Sequence, residues 1–448
     1  MTKISFIGAG STVFAKNLIT DILTYPELRD TTISLMDIDR DKLEVTSDFA
    51  SQLISEQGLP TQLETTTDRE KSFQGADYII SMIQVGGIKA FELDIDIPRQ
   101  YGINQAVGDT VGPGGIFRGL RSIPVYLEMA REIERICPEA LFINYANPMA
   151  INCWALNEAT DVKNVGLCHS VQGTAKDISE YLDVSLEEVN YRSAGINHMA
   201  WFLEYRKNGK DLYPRLKEKY HDRDVYKQDV TKFEFLKHFG YFVTESSIHM
   251  SEYVPYFRNS ESWLEKIHQI EREKPPDEDA WTTEDESGVY LKTRRKKAKA
   301  FDKNGGEDFF NELPDISRSR EYCSRLIHSL ETDKPRVIHG NVKNTSLIEN
   351  LPDDCTVEVP CLVDKNGVQP TKVGELPSQL AALNRTNINT QKLAVEGALE
   401  GSKDAIYQAL MLDPLTSSTL DLNQVKKMAD EMFRAQRQYL PLFWFNNQ

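Results

Sequence analysis

A short apolar run, Lys3 to Ile7, breaks at Gly8-Ala9-Gly10-Ser11-Thr12, and apolar residues then return at helical spacing, Val13, Leu18, Ile22 and Leu23. Strand, glycine turn, helix is the opening unit of a parallel α/β sheet, and it constrains this chain more than any other stretch. Glycines at 8 and 10 let the backbone bend tightly and approach a pyrophosphate, whose charge the helix N-terminus at Ser11 and Thr12 stabilises. Val13 stands where the usual fingerprint has a third glycine. The next predicted strand, Thr32 to Met36, ends in Asp37. A carboxylate there accepts hydrogen bonds from an adenosine ribose and disfavours a 2′-phosphate, so NAD is expected rather than NADP. The alternative role for Asp37 is to cap a loop or helix before Asp39.

The alternation continues. Arg40 to Gln57 has helical spacing, and Ala76 to Ile83 reads as a buried strand ending at Gln84-Val85-Gly86-Gly87, where Gln84 would face the cofactor crevice. A helix near Ile116 to Cys137, a strand Ala140 to Tyr145, a helix Met149 to Asn157 and a strand leading into Cys168 follow. Asp109-Thr-Val-Gly-Pro-Gly-Gly115 reads as a glycine-rich loop with a specific backbone role. Asn147 lies just after a strand, where its amide either bonds nicotinamide or substrate or serves an ordinary turn.

The predicted architecture is a Rossmann-like doubly wound sheet over residues 1–194, followed by a mixed α+β domain over 195–448, lactate/malate dehydrogenase-like overall. In the second part, Trp201 to Tyr205 alternates like a strand, and Asn208-Gly209 and Asn366-Gly367 are hairpin signals. Arg318 to Leu330, Leu380 to Leu399 and Leu422 to Arg437 are predicted helices. The polar stretch Lys274 to Asp308 reads as a solvated helix or lid.

Cys168 and His198 stand at two strand-to-loop junctions, a thiolate donor and an imidazole donor. Those donor types hold a divalent transition metal with open coordination positions. The other cysteines, 137, 153, 323, 355 and 361, have neither a metal-finger spacing nor a dense disulfide pattern. With a net charge of −16, the chain is a poor partner for nucleic acid or an anionic membrane surface. No secretory leader and no apolar run long enough for a membrane helix stand out, so a cytoplasmic protein is expected.

These motifs together carry a resemblance. Phe6-Ile-Gly-Ala-Gly-Ser-Thr12, Asp109-Thr-Val-Gly-Pro-Gly-Gly115, Asn144-Tyr-Ala-Asn-Pro-Met149, Gly166-Leu-Cys-His-Ser-Val171, Gly195-Ile-Asn-His198 and Val357-Glu-Val-Pro360 span most of the chain. It resembles glycoside hydrolase family 4, and within it the bacterial α-galactosidases. The resemblance implies bound NAD and a divalent metal, here manganese(II) or another divalent transition ion, held by Cys168 and His198. It implies that the sugar is oxidised at carbon 3, a base removes the acidified carbon 2 proton, the aglycone leaves, water adds, and the hydride returns.

By the same resemblance, His169 protonates the leaving oxygen, although some relatives acting on phosphorylated sugars carry Asp there. The base is a tyrosine, Tyr253 in preference to Tyr256, with Asp109 accepting a hydrogen bond from it or from a substrate hydroxyl, and Asn147 touching substrate. Phosphosugar-cleaving relatives have an arginine near the position of Phe91-Glu92; a carboxylate there repels a 6-phosphate, which favours an unphosphorylated α-galactoside of the melibiose or raffinose type. Another α-glycoside, a plain hydroxy-acid dehydrogenase and a non-catalytic NAD-responsive regulator are the competing readings. Family members assemble as dimers or tetramers, so a homodimer or homotetramer is expected.

Overall fold

The computed structural model describes residues 1–271, 288–304 and 318–445. Six parallel strands, β1 (Thr2–Ile7), β2 (Thr31–Met36), β3 (Gln62–Thr66), β4 (Tyr78–Ser81), β5 (Leu141–Asn144) and β6 (Asn164–Gly166), lie in the order β3-β2-β1-β4-β5-β6. This is the doubly wound order, with helices such as Thr12–Leu23 and Arg40–Glu56 as crossovers. Ile4, Phe6, Ile33 and Leu35 are fully buried, as strands covered on both faces require.

The later strands do not build a sheet of their own. They are β7 (Val189–Ile196), β8 (Met199–Lys207), β9 (Lys210–Asp211), β10 (Arg336–Lys343), β11 (Thr356–Asp364) and β12 (Gly367–Pro370). β10 pairs antiparallel with β6, β11 with β10, β7 with β11 and β8 with β7, so one twelve-stranded sheet runs through the molecule. The expected division at residues 194/195 falls within β7. Asn208-Gly209 and Asn366-Gly367 lie at the predicted hairpins. The helix Ser378–Glu400 packs against Met149–Ala159 and Gly112–Ile136, joining the two halves in one hydrophobic core.

Two expectations are corrected. Gly112 to Gly115 is not an irregular loop but the first turn of the helix Gly112–Ile136. Its glycines serve close packing: a Cβ on Gly114 would stand 2.2 Å from the Gly108 carbonyl oxygen and 3.1 Å from that of Asp94. Pro113 suits a helix's first positions, where no N–H is needed. The helix predicted from Arg318 begins at Tyr322 instead. The Asp21 carboxylate accepts hydrogen bonds from the Ser319 backbone N–H at 2.7 Å and from its hydroxyl, holding that stretch in another conformation.

Lys292 to Lys299 lie in the helix Val289–Asn304, which packs Leu291 on Phe91 and Ile95 of the helix Gly87–Gln100. The acidic residues Asp277, Glu278, Asp279, Glu284, Asp285 and Glu286 lie outside the described residues. Among the described residues, no helix is long and apolar enough to cross a membrane.

Candidate active site

The turn after β1 is built against the end of β2. Gly8 and Ala9 donate their backbone N–H groups to the Met36 carbonyl at 3.0 Å, and Gly10 N–H donates to Asp37 Oδ2 at 2.7 Å. A Cβ on Gly10 would stand 2.7 Å from that same oxygen, which is why glycine is needed there. Asp37 Oδ1 accepts from Asp39 N–H at 2.9 Å, and each carboxylate oxygen keeps a second lone pair. Ser11 precedes the helix Thr12–Leu23 without capping it through its side chain, so the first-turn N–H groups face outward for an anion. Gly8, Gly10, Ser11, Thr12 and Asp37 thus form one cradle that fits a dinucleotide. Gln84 lies beyond β4; its amide donates to Gly87 O at 3.0 Å and accepts from Arg294 Nη2 at 3.2 Å.

The two candidate metal donors, Cys168 and His198, meet because of sheet register. Gly166 on β6 pairs with Asn341 on β10, Asn341 with Glu358 on β11, and Glu358 with Gly195 on β7. This row crosses the sheet, and the chain emerges beyond its two ends at Cys168 and His198. Glu245, from the segment following Val243, completes a group in which the ligand atoms of Cys168, His198 and Glu245 all lie within 4.8 Å of one another. His198 Nε2 stands 3.3 Å from Glu245 Oε2. His198 occupies the turn between β7 and β8 with φ +63°, and Glu245 has φ +74°, conformations that cost about 1–3 kcal/mol each for non-glycine residues. Sulfur, imidazole and carboxylate together suit a divalent transition metal.

The charges around that donor set act in different directions on its members. Burial pushes the Cys168 thiol up to about 12, with Glu358 and Glu245 adding to the rise against the pull of His169. Burial also opposes charge on Glu245, yet His198, His249 and His169 bring its carboxyl down to about 2. Glu358, wholly buried, is pushed up to about 8 by burial and by Glu245, against the pull of His198. Asn341 Nδ2 reaches one oxygen of Glu358 at 3.4 Å, while the other has no partner among the described residues.

Tyr253 is fully buried, and its hydroxyl lies 3.2 Å from His198 Nδ1. Burial and the carboxylates of Glu245, Asp109 and Glu252 raise its phenol well above the usual range, so it needs a cation nearby to act as a base. Tyr256 is half exposed and stacks on Phe239. The hydrogen bond expected between Tyr253 and Asp109 is absent. Asp109 instead accepts from Thr110 Oγ1 at 2.6 Å and Asn147 Nδ2 at 3.3 Å, and stands 3.8 Å from His249 Nε2. Burial works against its charge, but Arg118, His249 and Thr110 hold its carboxyl below the ordinary value. His169 opens the helix Ser170–Tyr181, with a side chain 70% exposed and Nδ1 3.7 Å from Glu321 Oε1. Cys168, then Glu245 and Glu321, raise its imidazole against burial.

Sequence reasoning missed Glu245, His249 and Arg118. Glu245 and His249 sit in a short polar stretch whose pattern holds no signal. Arg118 lies in the helix Gly112–Ile136 and donates Nε–H to Asn147 O at 3.0 Å. Glu358 lies within the Val357-Glu-Val-Pro360 motif, and a carboxyl between buried Val357 and Val359 could have marked it. Glu92, expected to disfavour a 6-phosphate, has its carboxylate paired with Arg295 Nε at 2.6 Å.

The chain is 42% identical over 443 residues to an alpha-galactosidase of Bacillus subtilis (strain 168), covering 98% of this chain and 99% of that protein. It is 38% identical to an alpha-galactosidase of Rhizobium meliloti (strain 1021), covering 98% and 89%. A crystal structure of 6-phospho-alpha-glucosidase from gut microorganisms, in complex with NAD and Mn2+, superposes with a TM-score of 0.78 at 24% identity, covering 98% of this chain and 99% of that one. The pattern of family 4 glycosyl hydrolases matches residues 3–184 and that of the family 4 glycosyl hydrolase C-terminal domain residues 193–416. With both halves matched, the chain belongs to family 4 of the glycosyl hydrolases.

Proposed function

We propose that this enzyme is an NAD- and manganese-dependent α-galactosidase that cleaves unphosphorylated α-galactosides. The observation that carries the reading is the convergence of Cys168, His198 and Glu245 beside the Tyr253 hydroxyl. The identity to proteins named alpha-galactosidase supports the choice of sugar.

Gly8, Gly10, Ser11, Thr12 and Asp37 would hold NAD, with Gln84 along the crevice, and Cys168, His198 and Glu245 the metal. When bound, NAD supplies reversible oxidation at carbon 3 of the sugar and the metal supplies the Lewis acidity that acidifies carbon 2. Tyr253 takes the carbon 2 proton at its phenolic oxygen, and His198 Nδ1 orients that oxygen. His169, exposed at the mouth, delivers a proton to the leaving oxygen. Asp109, fixed by Thr110 and Asn147, accepts a sugar hydroxyl. The catalytic unit is a homodimer or homotetramer, a state that sedimentation velocity reads directly.

The test is release of nitrophenol from nitrophenyl α-galactoside by protein supplied with NAD, manganese(II) and reductant, with a primary isotope effect from deuterium at carbon 2. Turnover that ignores NAD and manganese, or a rate blind to that deuterium, refutes the mechanism. A preference for the 6-phosphorylated glycoside refutes the substrate.

A further inference from the structure

A cavity of about 730 Å³ shares no residue with the site described above; it is lined by Lys403, Asn423, Lys426, Lys427, Asp430, Phe433, Arg434, Arg437 and Phe445. Five of these are cations, in a chain whose formal net charge is −16. Among the described residues, none of the five lies within ion-pair distance of a carboxylate. Asp430, the single acid, already accepts a hydrogen bond from Tyr407. The lining therefore carries an excess of four positive charges.

The fold explains how the charges come together. The helix Leu422–Ala435 buries Val425, Met428, Ala429, Met432 and Phe433, which leaves Lys426 on the flank of that stripe and Lys427 and Arg434 on the opposite, exposed face. Arg434 and Arg437 suit the C-terminal end of that helix. Lys403 does not suit its own position: it is the first residue of the helix Lys403–Leu412, where the macrodipole disfavours a cation. It lies over the rings of Phe433 and Phe445 at 5.2 and 5.6 Å, and Arg437 lies 5.0 Å from the Phe445 ring centroid. The rings hold two of the cations at the rim without neutralising them.

We infer that this cavity is a second binding site, for a small phosphate ester. Guanidinium forks and lysine ammonium groups together match the oxygens of a phosphate, and a concave wall of one charge sign concentrates anions. The Asn423 amide in the lining offers a hydrogen-bonding group to the organic part. A cavity of this size takes a small molecule rather than a polymer.

The test is calorimetric titration of the purified chain, with NAD and manganese present, using inorganic phosphate, pyrophosphate and glucose 6-phosphate as separate ligands. Saturable binding of glucose 6-phosphate that weakens at least about tenfold in Lys427→Ala/Arg437→Ala supports the proposal. Both side chains are exposed, so the variant keeps its fold, checked by an unchanged circular dichroism spectrum and Tm. Tighter binding of pyrophosphate than of the ester assigns the site to an inorganic anion and overturns the ligand class. No saturable binding, or equal binding by the double variant, overturns the site itself, whatever the fate of the galactosidase reading.

Discussion

Metal affinity in this protein is expected to climb about tenfold for each pH unit between about pH 7.5 and 9, because Cys168 must give up one proton before its sulfur coordinates. Burial, helped by Glu358 and Glu245, holds that thiol near 12. At pH 8 the thiol then outweighs the thiolate by about four powers of ten, so removing the proton consumes about 5 kcal/mol of intrinsic affinity, and each pH unit returns about 1.4 kcal/mol. Competition between the apoprotein and a chromophoric chelator for manganese(II) measures the slope. Calorimetry in two buffers of different ionisation enthalpy counts the protons released. Cys168→Ser is expected to weaken binding by more than about a hundredfold, beyond what disturbing an outer partner of a metal site does. Affinity that stays flat with pH while no proton is released, or a serine variant that binds like the parent, refutes the assignment of the thiolate as a ligand.

Tyr253→Phe conserves shape at a fully buried position and is expected to keep metal and NAD bound while lowering kcat at least about a hundredfold, the usual worth of a positioned base; undiminished exchange of the carbon 2 proton would move the base elsewhere. Gly10→Ala drives a methyl group to within 2.7 Å of Asp37 Oδ2, so NAD affinity measured by fluorescence titration should fall while manganese binding is unchanged; loss of both would point to general unfolding. Glu358 has a folded value of about 8 against 4.5, so metal-free stability is full below about pH 4.5 and declines until about pH 8, by about 5 kcal/mol in total. Glu358→Gln should therefore raise the Tm of the metal-free protein at pH 8.5 and leave it nearly unchanged at pH 5, and an identical shift at both pH values would contradict the buried neutral carboxyl.

Of the first six strands, β1, β2, β4, β5 and β6 were legible because each runs into local punctuation, a glycine turn, Asp37, Asn147 or Cys168, and parallel pairing follows from the crossovers; β3 was missed, since its polar sequence Gln62–Thr66 carries neither an apolar run nor a glycine turn. Insertion of β10 and β11 beside β6 was not legible: nothing within Arg336–Lys343 names a partner so distant in the chain. Cys168 and His198 could be picked out because each donor follows an apolar strand. Glu245 could not, because its role arises from a left-handed backbone that no local pattern announces. The helix start at Gly112 was hidden by residues whose glycine content serves packing against Gly108 rather than flexibility. The pairing of Glu92 with Arg295 was not legible either, since Arg295 lies on a helix distant in sequence.

The row of strands that separates Cys168 from His198 has a consequence for how the enzyme is made. Both donors are synthesised before residue 200, yet the two strands that stand between them are supplied after Arg336. A nascent chain halted before that point already contains the β1 turn and Asp37, but nothing to seat the sulfur and imidazole at their native separation. Dinucleotide capture can thus precede translation of the last quarter of the chain, whereas assembly of the ion site must wait for it.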